Sequence, residues 1–312
     1  MLSVIIPSYH ELENIHRAAD KISELLDGQE IPYELLFVND GSADETWAYI
    51  EKEAADRKNV RGLCFSRNFG KESAIFAGLA NAEGDCAVVI DCDLQHPPEK
   101  IIEMYKLWKE GYDIVEGVKA SRGEESCFHS FAAKCFYGMI SDAVGMDMSR
   151  ASDFKLMDRK VINALLTMRE KNVFFRALSF WVGYKTISVE FDVQPRTEGE
   201  SKWSVMSLVK YAFSNISSFS TAPMQIVTIL GCVMLIASVI FGGISLVQKI
   251  TGVALGGFTT VILLQLFIGS ITMLSLGVIG YYISKIYEEI KGRPRYIISE
   301  TCGREKNCEE TI

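Results

Sequence analysis

The stretch Cys86-Ala87-Val88-Val89-Ile90-Asp91-Cys92-Asp93 sets two aspartates, two residues apart, directly after an uninterrupted apolar run. A short apolar run of this kind is typical of a buried β-strand. Two neighbouring carboxylates repel each other unless a cation lies between them, and hard oxygen ligands suit Mg²⁺ or Mn²⁺. The same residues also fit a solvated turn that caps a helix beginning near Pro98, so their spacing alone leaves both interpretations open.

Further β-rich runs alternate with helical patterns on both sides of this stretch. We predict strands at 2–6, 34–38, 60–65, 86–90 and 113–118, and helices at 12–26, 43–56, 71–82 and 98–110. Such alternation predicts an α/β domain with a mostly parallel sheet and helices on both faces. Ligands bind such sheets beyond the carboxyl ends of the strands. No G-x-G-x-x-G follows a strand, which argues against a dinucleotide site and therefore against a dehydrogenase. No Walker pattern occurs, which argues against a P-loop.

Charge is nearly absent from one long stretch: between Tyr211 and Ser284 only Lys249 is charged. The uncharged runs on either side of this lysine are each longer than the ~20 residues that cross a bilayer. We therefore predict two transmembrane helices, at about 226–247 and 258–283. Basic residues are more frequent outside this pair than in its turn, which predicts that both ends of the chain are cytoplasmic. We expect the membrane to be the plasma (inner) membrane.

These patterns divide the chain into four parts. We expect a cytoplasmic α/β domain at 1–200, an interfacial amphipathic helix region at 201–220, a two-span transmembrane helical hairpin at 221–284 and a cytoplasmic tail at 285–312. The net charge of −8 and the lack of a basic stripe argue against a nucleic-acid partner. The eight cysteines contain no C-x-x-C pair and are expected to be reduced cytosolic thiols.

Several polar motifs follow one another in an order that is more specific than any one of them. They are Ile5-Ile6-Pro7-Ser8-Tyr9-His10-Glu11, Asn39-Asp40-Gly41-Ser42, Arg67-Asn68-Phe69-Gly70-Lys71-Glu72, Asp91-Cys92-Asp93-Leu94-Gln95-His96-Pro97-Pro98, Ser152-Asp153-Phe154-Lys155 and Arg196-Thr197-Glu198-Gly199-Glu200-Ser201-Lys202-Trp203. This order resembles the family 2 glycosyltransferases with the GT-A fold. With the two-span hairpin, the layout resembles their polyprenyl-phosphate group, which includes bactoprenol glucosyltransferases and dolichyl-phosphate mannose synthases.

The resemblance implies a role for each matching residue. The nucleotide-binding residues would be Pro7, Tyr9, Glu11, Asp40, Asp91 and Gln95. The metal ligands for Mg²⁺ or Mn²⁺ would be Asp91 and Asp93, and the catalytic residues would be Asp93 and Asp153. The acceptor phosphate would be bound by Arg122, Lys134, Arg196, Ser201 and Lys202. Lys155 stands where many relatives carry arginine, which weakens the case for a bidentate phosphate contact there.

Asp153 falls at the position of the family's proposed catalytic base. A polyprenyl monophosphate has a second pKa near ~6 and is mostly dianionic at neutral pH, so it needs little deprotonation. Both a base and a group that orients the acceptor or a metal-bound water are therefore open for Asp153.

The resemblance implies a membrane-bound, metal-dependent and inverting transferase. It would move one sugar from a nucleotide sugar, with UDP-glucose favoured, to polyprenyl phosphate such as undecaprenyl phosphate for cell-envelope glycosylation, and relatives of this kind form homo-oligomers. Two alternatives stay open. A processive polysaccharide synthase shares the first motifs but usually has more spans and a Q-x-x-R-W signature, which is absent here. A non-catalytic nucleotide-binding membrane scaffold is disfavoured by the intact aspartates.

Overall fold

Apolar strands form a sheet in the first of two units into which the chain divides. The computed structural model describes residues 1–119, 152–168, 170, 174–192, 222–251 and 257–303. The first unit is Met1–Leu208 with Pro294–Ile312, and the second is Val209–Arg293. The strands described in the first unit are β1 (Leu2–Ser8), β2 (Tyr33–Asn39), β3 (Val60–Phe65), β4 (Cys86–Val89), β5 (Ile114–Lys119), β6 (Lys155–Asp158), β7 (Thr186–Phe191) and β8 (Ile298–Cys302). Its helices are α1 (Asn14–Asp27), α2 (Thr46–Asp56), α3 (Lys71–Asn81), α4 (Lys100–Lys109), α5 (Arg159–Thr167) and α6 (Phe175–Trp181).

The strand order in the described sheet is β7-β5-β6-β4-β1-β2-β3-β8. β1 pairs in parallel with β2 and β4, β2 pairs in parallel with β3, and β5 pairs in parallel with β7. β6 runs antiparallel to β4 and β5, and β8 runs antiparallel to β3. The fold is thus the α/β fold with a mostly parallel sheet that the alternating sequence pattern predicts.

The predicted strands and helices of the first 119 residues are confirmed. The strand ends differ from the predictions by at most two residues and the helix ends by at most three. The largest difference is at α2, which begins at Thr46 rather than at Ala43. Asp44 Oδ1 accepts hydrogen bonds from the backbone N–H of Thr46 at 3.1 Å and from its hydroxyl at 2.6 Å, so the preceding residues form a turn.

The core lies between the central strands and the helices that cover them. Ile5 and Ile6 of β1 and Ile15 and Ile22 of α1 are fully buried, and each such side chain contributes roughly 1.5–3 kcal/mol. On α3, Gly78 lies against the side chain of Ile5 so closely that any Cβ would overlap it. This close approach fixes α3, and with it Lys71 at its first turn, against the middle of the sheet.

The segment 285–312, expected to be a tail, contains a strand that the sequence pattern does not predict. β8 reads Ile-Ser-Glu-Thr-Cys and is mostly exposed, so it lacks the apolar run that marks the other strands. Tyr296 stacks on Phe65 of β3 with ring centroids 5.1 Å apart, and Trp47 Nε1 donates to Glu300 Oε2 at 3.0 Å. This part of the chain therefore completes the edge of the sheet.

The second unit contains two long apolar helices, α7 (Ala222–Ile250) and α8 (Phe258–Ile290). The windows Val227–Ile244 and Phe267–Ile290 are long and apolar enough to cross a membrane, and neither is buried within the structure. The predicted spans at 226–247 and 258–283 fall inside these helices. The expected interfacial helix at 201–220 lies outside the described residues.

Candidate active site

The loops after β1, β2 and β4 meet at one edge of the sheet, as their parallel pairing requires. Ser8 is in register with Asn39, and the backbone N–H of Ile90 donates to the carbonyl of Ile5 at 3.0 Å. This arrangement brings the first motif, Asp40 and the Asp91–Gln95 segment to the same edge. Tyr9 is 47% exposed there. The predicted nucleotide-binding residues Pro7, Tyr9, Glu11, Asp40, Asp91 and Gln95 thus all lie at this edge.

Asp40 is buried and its carboxylate is used to shape the neighbouring loop. Its two oxygens accept hydrogen bonds from the backbone N–H groups of Phe69 at 2.7 Å and Gly70 at 2.9 Å. Burial raises the pKa of Asp40, and the two backbone hydrogen bonds oppose this shift. Gly41 follows with a φ of +64° and lies so close to the backbone of Arg67 that a Cβ would overlap it. The β2 loop therefore holds the loop between β3 and α3 in place.

The first motif is attached to the β2 loop by two further hydrogen bonds. The backbone N–H of His10 donates to Ser42 Oγ at 3.0 Å, and that of Glu11 donates to Thr46 Oγ1 at 3.2 Å. Glu11 Oε2 accepts from the Asn14 side chain at 2.6 Å. His10 adopts a φ of +56°, which side chains with a Cβ rarely do. These contacts hold a strained turn beside the exposed ring of Tyr9.

The Asp91–Gln95 segment turns sharply after β4. Asp93 Oδ1 accepts a hydrogen bond from the backbone N–H of Gln95 at 3.1 Å. Leu94 between them has a φ of +55° although it is a buried leucine. Backbone strain of this kind persists only where the surrounding structure enforces it, and it is concentrated at functional sites. The turn leaves the side chains of both Asp91 and Asp93 partly exposed.

Asp153 lies next to Asp91, which the sequence alone does not predict. Lys71 Nζ is 2.6 Å from Asp91 Oδ1 and 3.0 Å from Asp153 Oδ2. Arg176 donates to both oxygens of Asp153, from Nε at 2.7 Å and from a terminal nitrogen at 2.9 Å. Burial alone would raise the pKa of Asp153, but Lys71 and Arg176 hold it well below its ordinary value. The Lys71 ammonium likewise outweighs burial and lowers the pKa of Asp91.

Glu72 adds a third carboxyl group to this cluster. Its Oε2 accepts a hydrogen bond from the backbone N–H of Phe175 at 2.9 Å, which connects α3 to α6. Burial and the charge of Asp153 raise the pKa of Glu72 to about 7, although that hydrogen bond and the cations Arg176 and Lys71 act in the opposite direction. Glu72 is therefore part protonated near neutral pH, which limits the negative charge of the cluster.

His96 forms the inner wall behind Asp91. Its ring stacks on Phe154 at a centroid distance of 5.1 Å and meets Phe191 edge to face at 5.4 Å. Its Nδ1 is 3.8 Å from Asp91 Oδ2 and has no hydrogen-bond partner within the described residues. Burial lowers the pKa of His96 despite the nearby Asp91, which favours the neutral imidazole.

Asp91 and Asp93 have the donor chemistry of a Mg²⁺ or Mn²⁺ site. The residues that the structure describes contain no group of three or more histidine, cysteine or acidic side chains that could hold a metal. Mg²⁺ is commonly bound by one or two carboxylates, with water and substrate phosphates as its other ligands. Lys71 already places one positive charge against Asp91. Two partly exposed carboxylates therefore fit a cation that a phosphate-bearing substrate helps to bind.

Sequence reasoning misses two cations of this site. Lys71 belongs to a quoted motif but receives no role there, and Arg176 belongs to none; its only signal is an arginine within the apolar run Phe174–Trp181. Lys155, by contrast, is buried against Glu116, with Nζ 2.9 Å from Oε1, and is not available to a phosphate. The predicted acceptor-phosphate residues, which lie outside the described residues, are Arg122, Lys134, Arg196, Ser201 and Lys202.

Similarity to known proteins identifies the family. Residues 3–143 match the profile described as glycosyl transferase family 2. An uncharacterized glycosyltransferase of Synechocystis sp. is 39% identical over 306 residues, which cover 97% of this chain and 96% of the relative. The chain belongs to glycosyltransferase family 2. This confirms the family that the motif order resembles, the GT-A-like fold and the assignment as an enzyme.

Other members of family 2 resemble this glycosyltransferase along almost its whole length. A prophage bactoprenol glucosyl transferase homolog of Escherichia coli is 35% identical over 299 residues, covering 95% of this chain and 98% of the relative. A bactoprenol glucosyl transferase of Shigella phage SfII is 33% identical over 302 residues, covering 96% of this chain and 98% of the relative.

One solved structure with a similar fold is glucosyl-3-phosphoglycerate synthase from Mycobacterium tuberculosis, in complex with Mn²⁺, uridine diphosphate and phosphoglyceric acid. The match has a TM-score of 0.49 and 18% identity, and it covers 68% of this chain and 75% of that chain.

Proposed function

We propose that this family 2 glycosyltransferase moves a single sugar, glucose from UDP-glucose in the first instance, to undecaprenyl phosphate or a similar polyprenyl phosphate. The observation that carries the proposal is the contact of Lys71 with both Asp91 and Asp153 beyond the carboxyl ends of the parallel strands, with Asp93 in the same turn as Asp91. The chain also has two apolar helices long enough to span a membrane. The names of the bactoprenol glucosyl transferases support the same acceptor.

The reaction is a single in-line displacement. An oxygen of the acceptor phosphate forms a bond to the anomeric carbon of the sugar, while the bond from that carbon to the donor diphosphate breaks. The electron pair leaves with the nucleoside diphosphate, and the configuration at the anomeric carbon is inverted. Because the acceptor phosphate is mostly dianionic at neutral pH, no proton has to be removed from it.

Asp91 and Asp93 would hold Mg²⁺ or Mn²⁺, which when bound offsets the negative charge that develops on the diphosphate. The nucleotide would be contacted directly by Pro7, by Glu11 and by the exposed ring of Tyr9. Asp40 would act on the nucleotide through the loop that its carboxylate organises. Gln95 would contact the donor beside Asp93.

Asp153 would orient the acceptor rather than remove a proton from it. Its two oxygens are engaged by Arg176 and Lys71, and those cations lower its pKa. A carboxylate with such a low pKa is a weak base, so its charge serves positioning better than proton transfer. The acceptor phosphate itself would be bound by Arg122, Lys134, Arg196, Ser201 and Lys202.

The two apolar helices would hold the enzyme in the plasma (inner) membrane, with the catalytic unit and the C-terminal segment in the cytoplasm. This location would expose the acceptor phosphate and soluble nucleotide sugars to the same site. The sugar lipid would then serve cell-envelope glycosylation, and a homo-oligomer would assemble through the hairpin.

The donor and acceptor are tested with membranes that contain the protein. They receive undecaprenyl phosphate and, in separate reactions, radiolabelled UDP-glucose, UDP-galactose, UDP-N-acetylglucosamine or GDP-mannose. We expect label from UDP-glucose in the organic extract, as a lipid that carries one sugar. Label from a different donor corrects the sugar. A long polymer supports the processive synthase, and binding of every donor without transfer or hydrolysis supports the scaffold.

A further inference from the structure

Lys71 bridges two carboxylates that would otherwise repel each other. Its Nζ is 2.6 Å from Asp91 Oδ1 and 3.0 Å from Asp153 Oδ2. A single ammonium group therefore offsets part of the negative charge of both carboxylates. It contacts one of the two carboxylates that have the donor chemistry of a divalent-cation site.

The two carboxylates differ in what else holds them. Arg176 contacts both oxygens of Asp153, so Asp153 keeps a cation when Lys71 leaves. For Asp91, the nearest other basic group that the structure describes is His96, whose Nδ1 is 3.8 Å from Asp91 Oδ2, beyond hydrogen-bond distance. Loss of Lys71 would thus leave Asp91, but not Asp153, in need of positive charge.

Lys71 has room to leave Asp91. Its side chain is 43% exposed, whereas that of Asp153 is only 6% exposed. Lysine carries a compact charge on a flexible stem. An ammonium group at this exposed edge regains water when it moves. The ammonium group can therefore leave Asp91 without being transferred into an apolar environment.

We propose that Lys71 is an internal counter-ion that occupies Asp91 in the metal-free enzyme and is displaced when a divalent cation binds. The proposal rests on the metal site of the proposed function and adds a competitor to it. A cation that approaches Asp91 meets the charge of Lys71, which opposes binding. In the metal-free enzyme, Lys71 holds Asp91 and Asp153 close together. The metal binds more weakly than it would to the same carboxylates without this ammonium group.

The test measures Mn²⁺ affinity of the purified full-length protein without nucleotide, by electron paramagnetic resonance of the free ion. Lys71→Met removes the competing charge, so we expect the affinity to rise roughly tenfold or more. Lys71→Arg keeps the charge, and we expect an affinity within about threefold of wild type. Lys100→Met is the matched control, because Lys100 forms a surface ion pair with Glu103 at 2.8 Å. An affinity of Lys71→Met that is unchanged or weaker overturns the proposal.

A measurement on the wild-type protein does not depend on how the variant folds. Lysine residues are acylated with a limiting amount of an amine-reactive reagent, and the rate at each site is followed by mass spectrometry with and without Mn²⁺. Displacement predicts faster acylation of Lys71 with Mn²⁺ and no change at Lys100. A slower or unchanged rate at Lys71 contradicts displacement. Neither experiment involves sugar transfer, so absence of transfer would reject the proposed function and leave the role of Lys71 to be decided by Mn²⁺ binding.

Discussion

Arg176 determines what Asp153 can do at the candidate site. The guanidinium contacts both oxygens of the carboxylate, and this contact fixes its direction as well as its charge. We predict that Arg176→Gln lowers the turnover of sugar transfer by roughly ten- to a hundredfold. Arg176→Lys should recover only part of it, because lysine cannot form the paired contact. Transfer rates at saturating donor and acceptor measure this, and a fully active Arg176→Gln would contradict the orienting role of Asp153.

Glu72 makes stability depend on pH. Its pKa is raised from 4.5 to about 7, so between these values the folded chain holds a proton that the unfolded chain has released. The contribution to stability is therefore full below about pH 4.5 and is lost as the pH rises through about 7. Glu72→Gln keeps the acceptor for Phe175 and removes the titration. We predict that the variant has a higher unfolding temperature than wild type at pH 8, and that the difference shrinks by pH 5.

The same measurement has a clear negative outcome. If the difference between Glu72→Gln and wild type is equal at both pH values, the carboxyl group does not titrate in this window. A difference that grows towards pH 5 would mean that the pKa is lowered rather than raised.

Gly41 is required by both conformation and space. At a φ of +64°, alanine is strained, and its Cβ would also overlap the backbone of Arg67. Gly183 has a similar φ of +70° but nothing within 4 Å of a Cβ, so Gly183→Ala incurs the strain alone. We predict that Gly41→Ala is the more destabilising in urea unfolding, where the strain accounts for about 1–3 kcal/mol in each variant. Equal losses would mean that the loop at Arg67 moves aside freely.

At the scale of elements, β8 protects an edge of the sheet. The strand covers β3, and Arg295 just before it donates to the backbone carbonyls of Met168 and Glu170. We predict that a chain ending after residue 293 aggregates, because the edge of β3 becomes available to other chains. A chain ending after Gly303 keeps β8 and should elute like wild type. Size-exclusion chromatography in detergent compares them, and identical profiles would show that β8 is dispensable.

The elements differ in how far the sequence predicts them. β1 to β5 are short β-rich runs that alternate with helical patterns, so their positions follow from the local sequence. β6 is only four residues long and begins with Lys155, whose charge argues against a strand until its buried partner Glu116 is known. β8 is polar and pairs with residues more than 230 positions earlier. Such long-range pairing leaves no local signal.

The candidate site is likewise predictable only in part. That Asp40 and Asp91 lie at the same end of the sheet is predictable, because parallel strands have their carboxyl ends together. The contact of Asp91 with Asp153 through Lys71 is not predictable, since it depends on how α3 and α6 pack. The contact of Arg176 with Asp153 cannot be predicted from the sequence for the same reason. The sequence thus predicts which loops form the site but not which cations neutralise it.

For the whole molecule, the proposed function requires one fixed orientation in the membrane. The basic residues that flank the pair predict a cytoplasmic catalytic unit. Protease added to right-side-out spheroplasts should therefore leave this unit intact, whereas protease added to inside-out vesicles should digest it. A periplasmic protein provides the control for intact spheroplasts. If the unit is digested only from the outside, the orientation is the reverse of the predicted one. The site would then have no access to cytoplasmic nucleotide sugars.

The measurement that tests the central claim most directly is transfer of labelled glucose from UDP-glucose to undecaprenyl phosphate, with and without Mn²⁺, by wild type, Asp93→Ala and Asp56→Ala. Asp56 is an exposed aspartate at the end of α2 and serves as the control. We predict a lipid that carries one sugar for wild type and Asp56→Ala, lost on chelation and at least a hundredfold slower for Asp93→Ala. Transfer by Asp93→Ala at the wild-type rate, or no transfer and no hydrolysis by wild type that binds the donor, would contradict the claim.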